Sequence, residues 1–399
     1  MSSKVMRFAA LDGWRGIAAI AVAVYHLPVN WHFYWSALIR DSYLFVDFFF
    51  VLSGFVIANS YLQALQTPHD VKIFLIRRFG RLYPLHLAVL LAMVSFEFVK
   101  LALVHFGSSA ETTPFTGPFS IASLLSNLLL LQSMGLHDVL TWNSPSWSIS
   151  VEFYVYITFS LFALAVIDRA RFKVCIAVVV IAALLLIALS DKGIGVTVDF
   201  GFVRGIYGFF AGVATYRIYR RIQISDSRKL AVLEAAALAL TLIFVCVAGK
   251  GSLTYLAPLI FSLVVYVFAH QSGPISIALS SRPLRFLGDC SYSIYMIHYF
   301  IMKNIIIRPV MTLQRAFQAE WTVYIPGDAT NGSLEESVNL VVLNSQLACD
   351  MLLVGYLIIV LTAAAISYRY IEVPARDFFN RLAAGMRRPN DGTLAKAPS

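Results

Sequence analysis

The sequence predicts an all-α polytopic membrane protein of about ten transmembrane helices, with both termini cytoplasmic. Three observations predict it: an apolar composition, apolar stretches recurring at spanning length, and basic residues confined to alternate connections. Of 399 residues, 59% are hydrophobic and only 13% charged, and mean hydropathy is +0.75. A soluble domain runs to about half apolar and about a quarter charged, so a soluble fold of this size could not cover its surface. Secreted mini-protein, disordered chain and cytosolic enzyme are excluded. The formal charge of +9 does not call for nucleic acid, because membrane proteins hold Lys and Arg on the cytoplasmic side.

A crossing helix needs about 20 mostly apolar residues. Ten stretches qualify: 14–31, 44–63, 82–104, 148–167, 174–190, 201–217, 230–248, 253–269, 289–307 and 347–367. The first follows Lys4 and Arg7, as a signal peptide would. His26, Pro28 and Trp31 stand where small cleavage-site residues belong, so it reads as a retained span. Residues 121–134 form an eleventh candidate, short and interrupted by Ser and Asn. The positive-inside rule decides against it as a full span. With it skipped, the basic groups at Arg77, Arg78 and Arg81, at Arg169 and Arg171, at Arg217, Arg220 and Arg221, and after Arg369 all face inward. Outer segments then keep only Arg40, Lys192, Lys250, Arg308 and Arg315. A re-entrant or interfacial segment is expected near 120–135. The outer segment 308–346, with Pro326, Gly327 and Gly332, reads as a loop. Residues 1–380 are expected to form one transmembrane unit and 381–399 a disordered cytoplasmic tail. Cys175, Cys246, Cys290 and Cys349 lack metal-site or disulfide-framework spacing and read as small apolar residues, so no metal is expected.

Ionisable residues inside a membrane are costly and mark function. Arg15 and His26 are eleven positions apart, so they share one helix face about 16 Å apart along the axis. The topology puts Asp47, Ser148 and Glu152 at the level of His26, with Ser148 and Glu152 at i and i+4. An imidazole beside a carboxylate suits a general base, its tautomer and charge set by the acid. The same groups also suit a structural network holding the bundle. Arg15, Arg77, Arg78 and Arg81 cluster at the opposite, inner end, where guanidinium forks suit phosphates. No Walker loop or GxGxxG is present. A cosubstrate with a phosphorylated head and a long thin arm would connect the two levels, and coenzyme A has that shape. His298 and Arg204 lie in later spans, as candidates for contact with an acceptor or an anionic acyl group. Glu97 and Lys100, at i and i+3, are expected to pair. The run Trp31, His32, Phe33, Tyr34, Trp35 reads as an interfacial aromatic belt.

Six stretches in order resemble acyltransferase family 3. They are Leu11-Asp12-Gly13-Trp14-Arg15-Gly16 with His26 ending an R-x10-H motif, and Phe49-Phe50-Val51-Leu52-Ser53-Gly54-Phe55-Val56-Ile57. Next come the R-x-x-R pair Arg78 and Arg81, and the S-x-x-x-E pair Ser148 and Glu152. The last two run from Gly288 through Tyr292 to His298, and from Tyr370 to Pro374. The likeness covers about residues 8–380. It implies a multi-pass enzyme of the bacterial inner membrane. Such an enzyme takes an acyl group, acetyl or succinyl, from cytoplasmic acyl-CoA (acetyl-CoA or succinyl-CoA) and esterifies a carbohydrate hydroxyl at or beyond the outer face. Polysaccharide and lipid-linked oligosaccharide are the implied acceptors. His26 would be the general base, oriented by Glu152 or Asp47 beside Ser148, with direct transfer and a two-step route through an acyl-His both open. Arg78 and Arg81, helped by Arg77 and Arg15, would hold the CoA phosphates, and His298, Arg204 and Tyr292 are further substrate contacts. Where relatives often carry a second acid or Gln after the motif glutamate, this chain has Phe153, leaving Glu152 alone there. Some members carry a periplasmic hydrolase-like domain; these 399 residues leave no room for one, so the membrane unit is expected to act alone or with a partner. Membrane lipid surrounds the fold, and a homo-oligomer is open. The rival is a proton-coupled secondary transporter using the same His, Asp and Glu residues.

Overall fold

The computed structural model describes residues 7–106, 113–249, 251–325 and 338–386. In chain order the α-helices are α1 (Ala9–Tyr25), α2 (Ala37–Arg40), α3 (Phe45–Tyr61), α4 (Pro68–His105), α5 (Ile121–Leu128) and α6 (Trp147–Ala165). Then follow α7 (Asp168–Leu189), α8 (Gly201–Arg221), α9 (Ser227–Ala248), α10 (Ala257–Phe268), α11 (Pro274–Leu279) and α12 (Arg282–Asp289). The last are α13 (Ser291–Ile301), α14 (Arg308–Ala316), α15 (Gln346–Ser367) and α16 (Val373–Gly385). π-Helical segments, Met302–Ile307 and Tyr368–Glu372, join α13 to α14 and α15 to α16.

Among the described residues, six helical stretches are long and apolar enough to cross a membrane: Ala37–Tyr61, Pro68–His105, Ser144–Ala165, Asp168–Leu189, Ser227–Ala248 and Gln346–Gly385. The other four predicted stretches are also helical, but shorter or more charged. α1 has 17 residues, α10 has 12 and α13 has 11. α8 carries Arg204, Arg217, Arg220 and Arg221. α5 has 8 residues, about 12 Å long, against roughly 30 Å of hydrocarbon.

Local chemistry sets the ends that matter for the site. α1 stops at Tyr25 with His26 as its C-cap, and Pro28 two residues on cannot continue it. α4 starts at a capping box: Asp70 N donates to Thr67 Oγ1 at 3.2 Å, and Thr67 N donates to Asp70 Oδ2 at 2.9 Å. It then runs 38 residues through Pro84, so Arg78 and Arg81 stand on the same rod that packs against α6. Glu234 of α9 is fully buried and accepts from the backbone N–H groups of Gly273, Ile275 and Ser276, tying α9 to the start of α11.

Small residues let these helices approach closely. A Cβ at Gly54 of α3 would strike the Phe209 carbonyl oxygen of α8, and one at Gly212 of α8 would strike the Val51 carbonyl of α3. α1 meets α12 at Gly16, where a Cβ would lie 2.8 Å from Gly288 N. Phe8, Phe55 and Tyr219 close an edge-to-face cluster nearby.

Three sequence expectations change. The segment 308–346 is not a plain loop: α14 opens it, and Thr322–Ile325 pairs antiparallel with Val338–Val341. This strand pair docks on the chain after α1, with Asn30 N donating to Val341 O at 2.9 Å and Val341 N to Pro28 O at 2.9 Å. The tail does not begin at 381, because α16 continues to Gly385; residues 387–399 of the expected disordered tail lie outside the described residues. The aromatic run is split, with Trp31 and Tyr34 buried and Phe33 and Trp35 exposed. The cysteines are all thiols, three of them buried.

Candidate functional site

Three cavities lie end to end through the bundle. The first, about 130 Å³, is walled by Arg15, Arg78, Arg81, Tyr292, Glu372 and Arg376 among others. The second, about 110 Å³, shares Arg15, Arg78, Arg81 and Tyr292 with it and adds Ser53, Ser148, Glu152, Tyr156 and Tyr295. The third, about 390 Å³, contains His26, Arg40, Tyr43, Trp147, Arg204 and Tyr299 in its wall. Val46 and Tyr295 line both the second and the third. Helical stripes build the walls. Tyr292 and Tyr295 follow at an i+3 step on α13, with fully buried His298 one further step on behind the walls, and Ser148, Glu152 and Tyr156 follow at i+4 steps on α6.

At the arginine end, Arg78 and Arg81 face the cavities because they are three residues apart on α4. Arg77, one residue and about 100° away, is not in any of the three walls, which corrects its expected place with them. Arg78 Nη2 donates to the Tyr61 hydroxyl at 3.4 Å and its guanidinium lies 5.3 Å from that ring centre. Its Nε is buried with no hydrogen-bond partner among the described residues. Arg15 lines both cavities, but it donates through Nε and Nη2 to Gly288 O at 3.1 and 2.7 Å. Tyr292 donates to the Leu82 carbonyl and so ties α13 to α4.

Glu152 is not beside His26. It accepts from Ser53 Oγ at 2.9 Å and from the Tyr156 hydroxyl, and it lines the second cavity with Arg78 and Arg81. Ser148 stands at the neck, but Glu152 is four residues on, about 6 Å further along the axis toward the arginines. Asp47 is not beside His26 either. It is fully buried and takes Arg204 bidentately, from Nε at 3.0 Å and Nη2 at 2.8 Å. Arg204 Nη1 also donates to Val196 O at 3.2 Å, and its guanidinium lies over Trp147 at 5.2 Å. A buried charge needs a partner; here the partner of Asp47 is Arg204, which leaves that arginine compensated rather than open to an anion. The expected Glu97–Lys100 pair is present at 2.8 Å.

The group that does reach His26 is His298. His298 Nε2 lies 3.2 Å from His26 Nδ1, with ring centres 5.0 Å apart. His26 Nδ1 also faces Val22 O at 2.9 Å, and His298 Nδ1 faces Ile294 O at 3.2 Å. A carbonyl only accepts, so each Nδ1 carries the proton when the rings are neutral. His298 Nε2 then accepts from His26 Nδ1–H. The lone pair of His26 is left on Nε2, which no protein group among the described residues engages. That is the form a general base needs.

Two residues of the site carried no role in the sequence reading. Tyr295 lies midway between Tyr292 and His298, and the i+3 spacing could have singled it out. Glu372 belongs to the quoted segment from Tyr370 to Pro374. It is buried, accepts from Ser293 Oγ at 2.9 Å and lines the first cavity from a π-helical turn, a feature frequent at functional sites.

Residues 8–326 match a family model described as an acyltransferase domain. The chain is similar to the peptidoglycan O-acetyltransferase OatA of Listeria monocytogenes, 24% identical over 73% of this chain and 49% of that protein. It is similar to the putative peptidoglycan O-acetyltransferase YrhL of Bacillus subtilis, 26% identical over 72% of this chain and 48% of that protein. The acyltransferase MdmB of Streptomyces mycarofaciens is 34% identical over 40% of each chain. This chain thus spans about half the length of the first two relatives. No solved structure matches it.

Proposed function

Because the chain belongs to acyltransferase family 3, a multi-pass membrane family whose model spans residues 8–326, we propose that it transfers an acyl group from cytoplasmic acyl-CoA to a carbohydrate hydroxyl. The acceptor is a polysaccharide or lipid-linked oligosaccharide at the outer face of a bacterial inner membrane, and acetyl is the group the relatives' names favour over succinyl. The observation that carries this reading is the row of cavities with arginines at one end and a general-base histidine at the other. Such a row suits a phosphorylated head, a thin arm and a reacting end.

Arg78 and Arg81 bind the phosphates, with Arg15 behind them. The unpartnered Nε of Arg78 fits an anion in that cavity. Both termini and the arginine end face the cytoplasm in this reading, as the basic connections favour. His26 Nε2 takes the proton of the acceptor hydroxyl as its oxygen attacks the thioester carbon, and His298 holds His26 in the competent tautomer. The carbon–sulfur bond then breaks, and the departing thiolate receives the proton from His26. Glu152 and Ser148 shape the passage rather than orient the base.

The test is thiol release from acetyl-CoA by the purified full-length chain, with and without an oligosaccharide acceptor. Wild type should release thiol and His26→Ala should not, at equal folded protein. Equal release by both would overturn the role of His26. Sugar or proton transport into vesicles without thiol release would favour a proton-coupled transporter instead.

A further inference from the structure

We propose that Tyr295 is a catalytic residue whose phenol donates a hydrogen bond to the acyl carbonyl oxygen at the neck between the donor passage and the acceptor cavity. The inference rests on the acyl-transfer reading above. Its first support is position. Among the described residues, only Val46 and Tyr295 wall both the second and the third cavity, and Val46 has no polar side-chain atom. An acyl group carried from the arginine end toward His26 must pass the phenol.

The second support is the state of that phenol. Ser148 Oγ donates to the Tyr295 oxygen at 2.9 Å, with Pro145 O at 3.2 Å as its other acceptor. Apart from Ser148 Oγ, no acceptor for the phenol's own proton is present among the described residues. A hydroxyl that accepts one hydrogen bond donates the next more strongly. Tyr295 is 6% exposed, so its remaining valence is satisfied by whatever enters the neck.

Geometry relative to the base is the third. Tyr295 and His298 sit one turn apart on the same face of α13, with ring centres 5.9 Å apart, and His298 touches His26. Phe49 packs edge-on against the Tyr295 ring at 5.8 Å and holds its direction. A carbonyl in the neck therefore meets a fixed donor on one side and reaches toward the base on the other, the arrangement that stabilises charge developing on oxygen. As the acceptor oxygen bonds to the carbonyl carbon, the C=O electron pair moves onto oxygen, where Tyr295 donates to it. His26 takes the hydroxyl proton. When that pair re-forms the double bond, the carbon–sulfur bond breaks and His26 returns the proton to sulfur.

The experiment compares wild type, Tyr295→Phe, Ser148→Ala and His26→Ala as full-length protein in detergent, with acetyl-CoA as the acyl donor. Thiol release to chitotetraose or to water is measured, and acetyl-CoA binding is followed by calorimetry. Tyr295→Phe keeps the ring and loses the proton. It should lower kcat about 10²- to 10³-fold, the cost of one oxyanion donor, with acetyl-CoA affinity changed less than about threefold. Ser148→Ala should lower kcat by about two- to tenfold, as for one neutral hydrogen bond. A folded Tyr295→Phe within about threefold of wild-type kcat would overturn the proposal. If Tyr295→Phe does not fold, unchanged kcat in Ser148→Ala overturns it and the stated fall supports it. No thiol release by wild type would instead sink the acyl-transfer reading itself.

Discussion

His26 and His298 come from helices 272 residues apart in sequence, and His298 Nε2 meets His26 Nδ1 at 3.2 Å. In the proposed reaction the pair would stand where base catalysis usually employs a His–carboxylate couple. An imidazole acceptor orients its partner without placing a second charge in a buried site, where an anion lacking its own partner is costly. Two acids nearby are already engaged, buried Asp47 by Arg204 and half-buried Glu152 by Ser53 and Tyr156.

In the proposed reaction His298 acts through His26, so the two should respond differently to substitution. His26→Ala is expected to abolish thiol release. His298→Ala should lower kcat on the order of 10²-fold, within the range of general-base effects, with donor affinity kept. His298→Gln offers an amide oxygen as acceptor and should recover part of the loss. Steady-state thiol release with equal folded protein checks this, and a His298→Ala enzyme as fast as wild type would remove the tautomer argument.

The arginines should separate by face. Arg78→Ala and Arg81→Ala should each weaken acetyl-CoA binding about tenfold or more, as loss of a charge-assisted contact implies. Turnover at saturating acyl donor should fall less. Arg77→Ala, off the cavity walls but in reach of Tyr61 beside Arg78, should weaken acetyl-CoA binding less than either. Isothermal calorimetry distinguishes the three, and an Arg77→Ala defect as large as that of Arg78→Ala would contradict the placement.

Asp47 and Arg204 should behave as a structural pair. Asp47→Ala leaves a buried guanidinium uncompensated and should destabilise the fold by about 3–5 kcal/mol. Combining it with Arg204→Met removes both charges and should restore much of that loss. Thermal unfolding in detergent reads this directly. A single variant as stable as wild type but inactive would return Asp47 to the catalytic group.

Close helix contact makes the last prediction. Gly54→Ala and Gly212→Ala push a methyl into a facing carbonyl, and each should cost on the order of 1–3 kcal/mol. Gly355→Ala on α15, where an added Cβ meets nothing, should be neutral or gain about 0.5–1 kcal/mol. Equal melting temperatures for all three would show that the α3–α8 contact tolerates separation.

Much of this protein follows from one-dimensional pattern. Runs of about 20 apolar residues demand helices wherever water is absent, because only then are backbone groups satisfied within the segment. Every predicted stretch is helical, and residues 121–134 do not form a spanning helix. Helical periodicity also put Arg78 with Arg81 on one face and Ser148 with Glu152 on another, since neighbours at i+3 and i+4 are local. The identity of the partner of His26 was beyond that reach. Depth along a span ranked Asp47, Glu152 and His26 as one level, but depth carries no azimuth. Asp47 turned to Arg204 because α3 and α8 touch backbone to backbone at Gly54 and Gly212. Glu152 turned to Ser53, and His298 reached His26 because α1 packs on α12 through Gly16 and Gly288, bringing α13 alongside. Which charges exist and at what height is written in local spacing; which of them touch depends on how helices rotate about their axes when they pack.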